Sequence, residues 1–167
     1  MADTAFPETN PSDTPVQHDS AVRGDSGFVL QLDEGEVLPS EGVLNIIKVS
    51  PGQHAQHLGV VTQQFVEQQG IPLHQHQWDE EVFWVHKGRG TFILGDRRLP
   101  IRPGSLMYIP PGTWHGFENE GEETLLVWVI SPPHFVDLFR QLVSEDKLPA
   151  DQLEQLCREH GFEFRAS

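Results

Sequence analysis

The sequence of 167 residues has a single cysteine and few basic side chains. Cys157 has no partner within the chain, so an internal disulfide is excluded and a reducing compartment, most simply the cytoplasm, is expected. Only 11 lysine and arginine residues stand against 25 acidic ones, which gives a net charge of −14. Nucleic acid and anionic membrane surfaces would be repelled by such a chain, so neither is expected as a partner.

Apolar stretches are short throughout the chain. The longest unbroken run, Leu125 to Ile130, has six residues, whereas a membrane helix needs roughly 20. The first ten residues, MADTAFPETN, contain neither a basic start nor an apolar segment, so no secretory signal is expected. Both features predict a cytoplasmic protein without a membrane partner.

The sequence divides into three regions that differ in pattern. Residues 1–26 contain three prolines, five acidic residues and few large apolar ones, which predicts a flexible N-terminal tail. The alternative is an arm that adds a strand to a partner's sheet, with Phe28 to Leu32 as its pairing segment. Residues 27–131 are β-like and form the predicted barrel, and residues 132–167 form a predicted helical extension.

The β-like region consists of short runs rich in Val, Ile, Phe, Trp and Thr, separated by glycine or proline clusters. This pattern predicts an all-β sandwich or small barrel. Gly95-Asp96 predicts a tight hairpin turn. The runs are VLNIIKVS, GVVTQQFVEQ, EVFWVHK, GTFILG, SLMYIP and LLVWVI.

The C-terminal region changes to helical spacing after Pro132-Pro133. Apolar residues recur from Phe135 to Val143, which predicts one short helix. A second helix is predicted to start at about Pro149 and to end at Gly161. Both helices are expected to pack on the outside of the barrel.

Three histidines and a glutamate are the candidate metal ligands. His74 and His76 are two residues apart, so on a strand they share a face. Glu81 lies across a short turn, at the start of the next run, and His115 follows a Pro-Pro-Gly turn. Three imidazoles and one carboxylate that converge from separate strands would hold a divalent metal and leave positions open.

Residues 70–88 resemble the first motif of the cupin superfamily. His74, His76, Glu81 and Gly88 match it, with four residues before the glutamate and six after. Gly70 departs from the pattern, because three residues rather than five separate it from His74. The departure affects a turn and no ligand.

Residues 104–119 are similar to the second cupin motif at every position. The matching residues are Gly104, Pro110, Gly112, His115 and Asn119. The resemblance covers about residues 42–131. It implies a double-stranded β-helix, the jelly-roll cupin barrel. The tail and the short C-terminal helices predicted from spacing lie outside the resemblance. It also implies one divalent metal, with Fe(II) favoured and Mn, Ni, Zn or Cu possible.

The ligands that the resemblance implies are His74, His76, Glu81 and His115. Glu80 is the other candidate for the carboxylate ligand. The spacing to Gly88 favours Glu81, and both cannot point inward, because neighbouring residues on a strand face opposite sides. Asp79 and Glu80 are then expected at the rim or in solvent. His86 follows Glu81 by an odd number of positions, so it should face away from the metal.

By the same alternation, Phe83 and Val85 share the face of Glu81, and Phe117 shares the face of His115. These side chains are the predicted substrate-binding wall, suited to a flat or aromatic ligand. The alternative is that they only fill the barrel. At least one tryptophan is expected to pack under the C-terminal helices or at a subunit contact.

The resemblance favours a dioxygenase of the quercetinase-like type that acts on a small enolic or aromatic compound, with Glu81 as catalytic base. The alternatives are a cupin isomerase or lyase, and a non-catalytic protein that binds a small ligand. A homodimer is expected, because cupins commonly pair their barrels and exposed edge strands need covering.

Overall fold

The computed structural model describes residues 27–40, 42–52, 55–66, 68–121, 123–143 and 148–165. The predicted tail at residues 1–26 lies outside this range. The strands are β1 Glu36–Ser40, β2 Val43–Val49, β3 Gly59–Phe65, β4 Gly70–His76, β5 Glu80–Lys87, β6 Gly90–Leu94, β7 Arg97–Ile101, β8 Leu106–Ile109, β9 His115–Asn119, β10 Thr124–Ser131 and β11 Phe162–Phe164. The helices are α1 Phe135–Val143 and α2 Ala150–Glu159.

The strands form two antiparallel sheets. One has six strands in the order β1-β2-β3-β10-β5-β8, and the other has five in the order β11-β4-β9-β6-β7. Strands distant in sequence lie side by side, as when β10 pairs with both β3 and β5. The predicted all-β class is therefore confirmed, and each of the six predicted β-like runs contains a strand.

Alternation along the strands builds the core between the sheets. In β5, Glu81, Phe83 and Val85 are buried, whereas the alternating residues Trp84 and His86 are exposed. The apolar side chains of this inner face belong to a single buried cluster that also includes residues of the opposite sheet. The period-two pattern thus decides which side chains can reach the interior.

Glycines with positive φ occupy two of the predicted chain reversals. Gly95, with φ of 61°, joins β6 to β7, whose residues pair directly on either side of it. Gly161, with φ of 63°, follows α2, and a Cβ there would lie 2.7 Å from the Trp78 ring. Both positions favour glycine, because other residues rarely adopt this conformation.

The C-terminal segment forms both predicted helices, but α1 does not lie only on the outside of the barrel. It buries Phe135, Val136, Leu138 and Phe139 in the main core cluster. Burial of each such large side chain contributes about 1.5–3 kcal/mol. On the exposed side, Arg140 donates two hydrogen bonds, of 2.8 and 2.7 Å, to the Glu36 carboxylate of β1.

The third element of this segment, β11, is absent from the sequence prediction. It pairs with β4, so Phe162 lies opposite His76 and Phe164 opposite His74. The boundaries at residues 131 and 132 stay a prediction, although β11 joins one of the barrel's sheets. Within the described ranges, no helix is long and apolar enough to cross a membrane.

Candidate metal centre

The four predicted ligands come from both sheets and meet between them. His74 and His76 are on β4, and His115 begins the adjacent β9, where it pairs directly with His74. Glu81 is on β5 of the opposite sheet. The loop before His115 is tied to the ligand strand, because the Gly112 N–H donates a 2.7 Å hydrogen bond to the His76 carbonyl.

The ligand atoms of these residues form one compact group. One nitrogen or oxygen from each lies within 4.8 Å of the others, and all four side chains are buried. Glu81 Oε2 is 2.8 Å from His115 Nε2 and 3.5 Å from His76 Nε2. The structure thus brings together all four residues that the sequence proposed.

Backbone carbonyls orient two of the imidazoles. His74 Nδ1 lies 2.7 Å from the Pro72 carbonyl, and His115 Nδ1 lies 2.9 Å from the Thr113 carbonyl. A ring that donates its Nδ1 proton to a carbonyl keeps a lone pair on Nε2, the arrangement that a metal-binding histidine requires.

Burial keeps His74 uncharged. Loss of solvent lowers the pKa of this imidazole well below its usual 6.5, and the nearby His115 and His76 lower it further. The hydrogen bond to the Pro72 carbonyl acts in the opposite direction. A neutral imidazole can bind a metal and a protonated one cannot.

Several buried polar atoms in this group have no hydrogen-bond partner. They include His76 Nε2, His115 Nε2 and Glu81 Oε2. Although His115 Nε2 and Glu81 Oε2 are 2.8 Å apart, both are acceptors when the His115 ring donates its Nδ1 proton to the Thr113 carbonyl, so neither satisfies the other. Such atoms cost free energy unless something satisfies them, and a divalent cation is a ligand that all three could share. The donor set of three imidazoles and one carboxylate suits a first-row metal. The group could therefore bind a metal, as predicted.

Asp79 is the site residue that sequence reasoning placed wrongly. Expected at the rim or in solvent, it is 2% exposed. Its Oδ1 lies 2.9 Å from Nδ1 of the half-exposed His134, and its Oδ2 lies 3.7 Å from His76 Nδ1. No local signal marks this role, because Asp79 lies in a turn and His134 is 55 positions away.

Glu80 and His86, which the sequence analysis excluded as metal ligands, lie on the outer face, as predicted. Glu80 is exposed and accepts a 3.2 Å hydrogen bond from the Tyr108 hydroxyl. His86 is also exposed. The register that selects Glu81 for the interior is therefore confirmed.

A cavity of about 190 Å³ extends from the metal group into the barrel. His74 and Glu81 form its polar end. Of the predicted wall residues, Phe83 lines the cavity, whereas Val85 and Phe117 are buried but are not among the lining residues. The substrate-binding role of these three stays a prediction.

The sequence analysis missed most of the aromatic side chains that line this cavity. Trp128, Phe135, Phe139 and Phe162 line the cavity, and three of them belong to the C-terminal segment. The ring centroids of Trp128 and Phe139 are 5.4 Å apart, so a tryptophan does pack against α1 as expected. Phe135 also contacts His76, with 4.5 Å between ring centroids.

The fold and the site together define a two-sheet β-barrel with a buried His₃Glu group inside. Residues 61–131 match the family model described as Cupin domain, and this match supports a place for the chain in the cupin superfamily. The structure of KdgF from Halomonas sp. superposes with a TM-score of 0.57 at 22% identity, over 64% of this chain and 94% of that one. An RmlC-like cupin from Shewanella frigidimarina gives 0.56 at 18% identity, over 64% and 92% of the two chains. These likenesses confirm the double-stranded β-helix fold.

Curated relatives match over smaller fractions of their own length. Quercetin 2,3-dioxygenase of Bacillus subtilis is 25% identical over 116 residues, which are 69% of this chain and 34% of that protein. Acireductone dioxygenase of Puccinia graminis is 31% identical over 80 residues, which are 43% of this chain and 44% of that protein. The chain thus spans a third to a half of the length of these relatives.

Proposed function

We propose that the protein is a metal-dependent dioxygenase that acts on a small enolic or aromatic compound. One observation carries the proposal: buried, unsatisfied ligand atoms of His76, His115 and Glu81 meet beside an aromatic cavity that Glu81 itself lines. The names of two relatives, quercetin 2,3-dioxygenase and acireductone dioxygenase, support the reaction class.

The proposed metal is held by His74, His76, Glu81 and His115. Fe(II) is favoured, because imidazole and carboxylate ligands with open positions are typical of non-haem iron oxygenases, and Mn, Ni, Zn or Cu are the other candidates. When bound, the ion would polarise a substrate oxygen and activate O₂. The substrate supplies the electrons and receives both oxygen atoms, so no separate reductant is needed.

Glu81 is the proposed base. It lines the cavity, its Oε2 has no hydrogen-bond partner, and it is 2% exposed. A substrate with an enolic or phenolic hydroxyl at the polar end would bring its proton within reach of this oxygen. Exclusion of water by the surrounding rings would strengthen that interaction.

The rest of the cavity offers little polar recognition. Its polar residue beyond the metal end is Gln63, whose amide accepts a 2.8 Å hydrogen bond from Trp128 Nε1 and donates a 2.9 Å one to Asn45. Among the described residues that line the cavity, none is lysine or arginine. The preferred substrate therefore has one oxygen-bearing end and an otherwise apolar body.

The volume limits the size of that body. A cavity of about 150 Å³ in another protein holds one benzene molecule. The 190 Å³ found here suits a single ring with small substituents. A larger compound would have to extend out of the cavity through its open side.

The test is metal analysis of protein purified without added metals or chelators, followed by O₂-uptake assays with single-ring enolic and aromatic compounds. We expect uptake of one O₂ per substrate, lost on metal removal and restored by Fe(II). His115→Ala should lack the activity, and His86→Ala, on the outer face, should keep it.

Two other outcomes would replace the proposal. Turnover that persists without O₂ would indicate the isomerase or lyase alternative. Saturable binding of such compounds to the metal-loaded protein, without turnover, would indicate a non-catalytic ligand-binding cupin.

A further inference from the structure

A cleft of about 450 Å³ opens at one end of the five-stranded sheet, apart from the cavity inside the barrel. Its polar lining consists of the exposed Arg89, Arg102 and Glu120 and the half-buried Ser105. Glu120 follows the last residue of β9, whereas His115 is the first, so the length of the strand, about 17 Å, separates them. The cleft is therefore distinct from the candidate metal centre.

The register of β6 places the two arginines of the cleft beside each other. Gly90 pairs with Ile101 of β7, and this pair is the last one of the hairpin. Arg89 precedes Gly90 and Arg102 follows Ile101, so the arginines occupy the next two positions outward. Cβ atoms at facing positions of an antiparallel pair are about 5 Å apart, and like charges there destabilise the fold.

No carboxylate of the described residues neutralises these two guanidinium groups. Neither Arg89 nor Arg102 forms an ion pair within the part of the chain that the structure describes. Glu120, which lines the same cleft, instead accepts a 3.3 Å hydrogen bond from the Thr91 hydroxyl. The chain has 25 acidic residues against 11 basic ones, so this lack of a partner is unexpected. An anion from solution would relieve the repulsion between the two arginines.

Ser105 adds a neutral hydrogen-bond donor to the cleft. Its Oγ accepts a 3.1 Å hydrogen bond from the Arg102 N–H, which leaves the hydroxyl proton for a second acceptor. The Ser105 N–H in turn donates a 2.9 Å hydrogen bond to the Arg102 carbonyl, so the turn is held at two points. Two guanidinium groups and a hydroxyl are donors that match the several oxygens of a phosphate group.

We propose that this cleft binds a phosphate group, as the free ion or as a monoester of a small compound. Arg89 and Arg102 are the charged donors, and the Ser105 hydroxyl is the neutral one. The volume lies within the range of small-molecule sites, about 300–1,000 Å³, so the body of an ester has room beside its phosphate. The net charge of −14 disfavours a nucleic acid as the source of the phosphate.

The experiment is calorimetric titration of the full chain with inorganic phosphate at low ionic strength and slightly alkaline pH, where a phosphate group carries close to two charges. We expect one phosphate bound per chain. Arg89→Ala and Arg102→Ala should each raise the dissociation constant at least about tenfold, because each removes a charged hydrogen-bond donor. Sodium chloride at the same ionic strength should produce no saturable binding.

Arg97→Ala is the matched control for the loss of charge. Arg97 is also exposed and has no ion pair among the described residues, but it lies at the other end of β7 from the cleft. Its substitution should leave phosphate binding unchanged. Equal losses from Arg97→Ala and Arg102→Ala would indicate a general attraction to positive charge and would overturn the proposal.

His115→Ala separates this cleft from the metal centre. The substitution removes a candidate metal ligand that lies a strand's length away, so phosphate should bind this variant as it binds the wild type. Loss of phosphate binding in His115→Ala would place the anion on the metal and overturn the proposal. A failed test of the dioxygenase, in contrast, would leave the phosphate results unaffected.

Glu120→Gln tests the cleft in the opposite direction. Removal of this negative charge from the lining should strengthen phosphate binding severalfold, and weaker binding would contradict the proposed position of the anion. Phosphate should also raise the melting temperature of the wild type but not that of Arg102→Ala. Without phosphate, Arg102→Ala should melt no lower than the wild type, because the substitution removes a repulsion between like charges.

Titration with glycerol phosphate distinguishes the two sources of the phosphate group. Tighter binding than that of inorganic phosphate would identify an ester as the ligand, and equal affinities would identify the free ion. Either result supports the site only if Arg89→Ala and Arg102→Ala weaken it. Absence of saturable binding of both compounds to the wild-type chain would overturn the proposal.

Discussion

The two ends of the cavity are built in different ways. Its polar end adjoins the metal group, in which His74, His76 and Glu81 lie within eight positions of one another and are joined by His115; His74 and Glu81 line the cavity itself. Its aromatic wall includes Phe135, Phe139 and Phe162, which lie beyond the residues that match the family model. The four candidate metal ligands therefore lie within the stretch that matches the family model, and much of the aromatic wall lies outside it.

The two ends also contribute differently to stability. The polar end holds buried nitrogen and oxygen atoms without hydrogen-bond partners, each of which costs roughly 1–3 kcal/mol in the absence of a metal. The aromatic wall instead stabilises the fold by burying rings. Substitutions at one end should thus affect mainly metal retention, and those at the other mainly stability. The following experiments test this separation.

The largest effect is expected at His115. Its substitution by alanine should weaken metal binding at least about 100-fold, because one of four ligands is lost from a site that keeps open positions. Metal stoichiometry after dialysis provides the measurement. His86→Ala should retain the wild-type stoichiometry, because that side chain is exposed on the opposite face. An emptied site in His86→Ala with a full one in His115→Ala would contradict the ligand assignment.

At the aromatic wall, Phe139→Ala should lower the free energy of unfolding by about 3 kcal/mol, because a buried ring is replaced by a cavity. Urea denaturation would measure the loss. Phe164→Ala is the matched control, since that ring is 48% exposed, and it should cost only about 1 kcal/mol. Metal stoichiometry should stay unchanged in both. Loss of metal from Phe139→Ala would show that the two ends are not separable.

Asp79 tests whether the polar end extends beyond its four ligands. Asp79→Asn should reduce metal affinity about tenfold, because the carboxylate beside His76 Nδ1 orients that ring and raises its basicity. Competition titration with a metal chelator would measure the change. Glu80→Gln removes a neighbouring carboxylate that is exposed, and it should have no effect. Equal effects from both substitutions would indicate a general loss of negative charge instead.

The smallest effect is a pH dependence of the metal-free protein. The folded-state pKa of His74 lies below its usual value of 6.5, so the unfolded chain binds more protons than the folded one below that pH. The free energy of unfolding should therefore fall as pH drops from about 6.5, by at most about 1.4 kcal/mol per pH unit for this one group. Denaturation curves of metal-free protein between pH 5 and 7 would reveal it. A free energy that rises over this range as pH drops would contradict the buried, neutral assignment.

Local patterns, together with the resemblance to the two cupin motifs, were sufficient to single out the four residues of the buried His₃Glu group and most strands. The two-residue period explains why Glu81 and not Glu80 points inward, and helical spacing placed α1 and α2 correctly. Residues whose position depends on distant contacts could not be found in this way. Asp79 is buried through His134, and β11 exists as a strand because it pairs with β4. Neither contact leaves a signal in the neighbouring sequence.

The pairing of β11 with β4 also has a consequence for the order of folding. Without β11, β4 would be the edge of its sheet, although it carries His74 and His76. Its partner arrives late in synthesis, since Gln75 and Glu163, which share a hydrogen bond, are 88 positions apart. Pairing over such a separation is slow and leaves strand edges open in the meantime. Until β11 has been synthesised, the nascent chain therefore leaves one edge of its His74–His76 strand unpaired, and only β9 can cover the other edge.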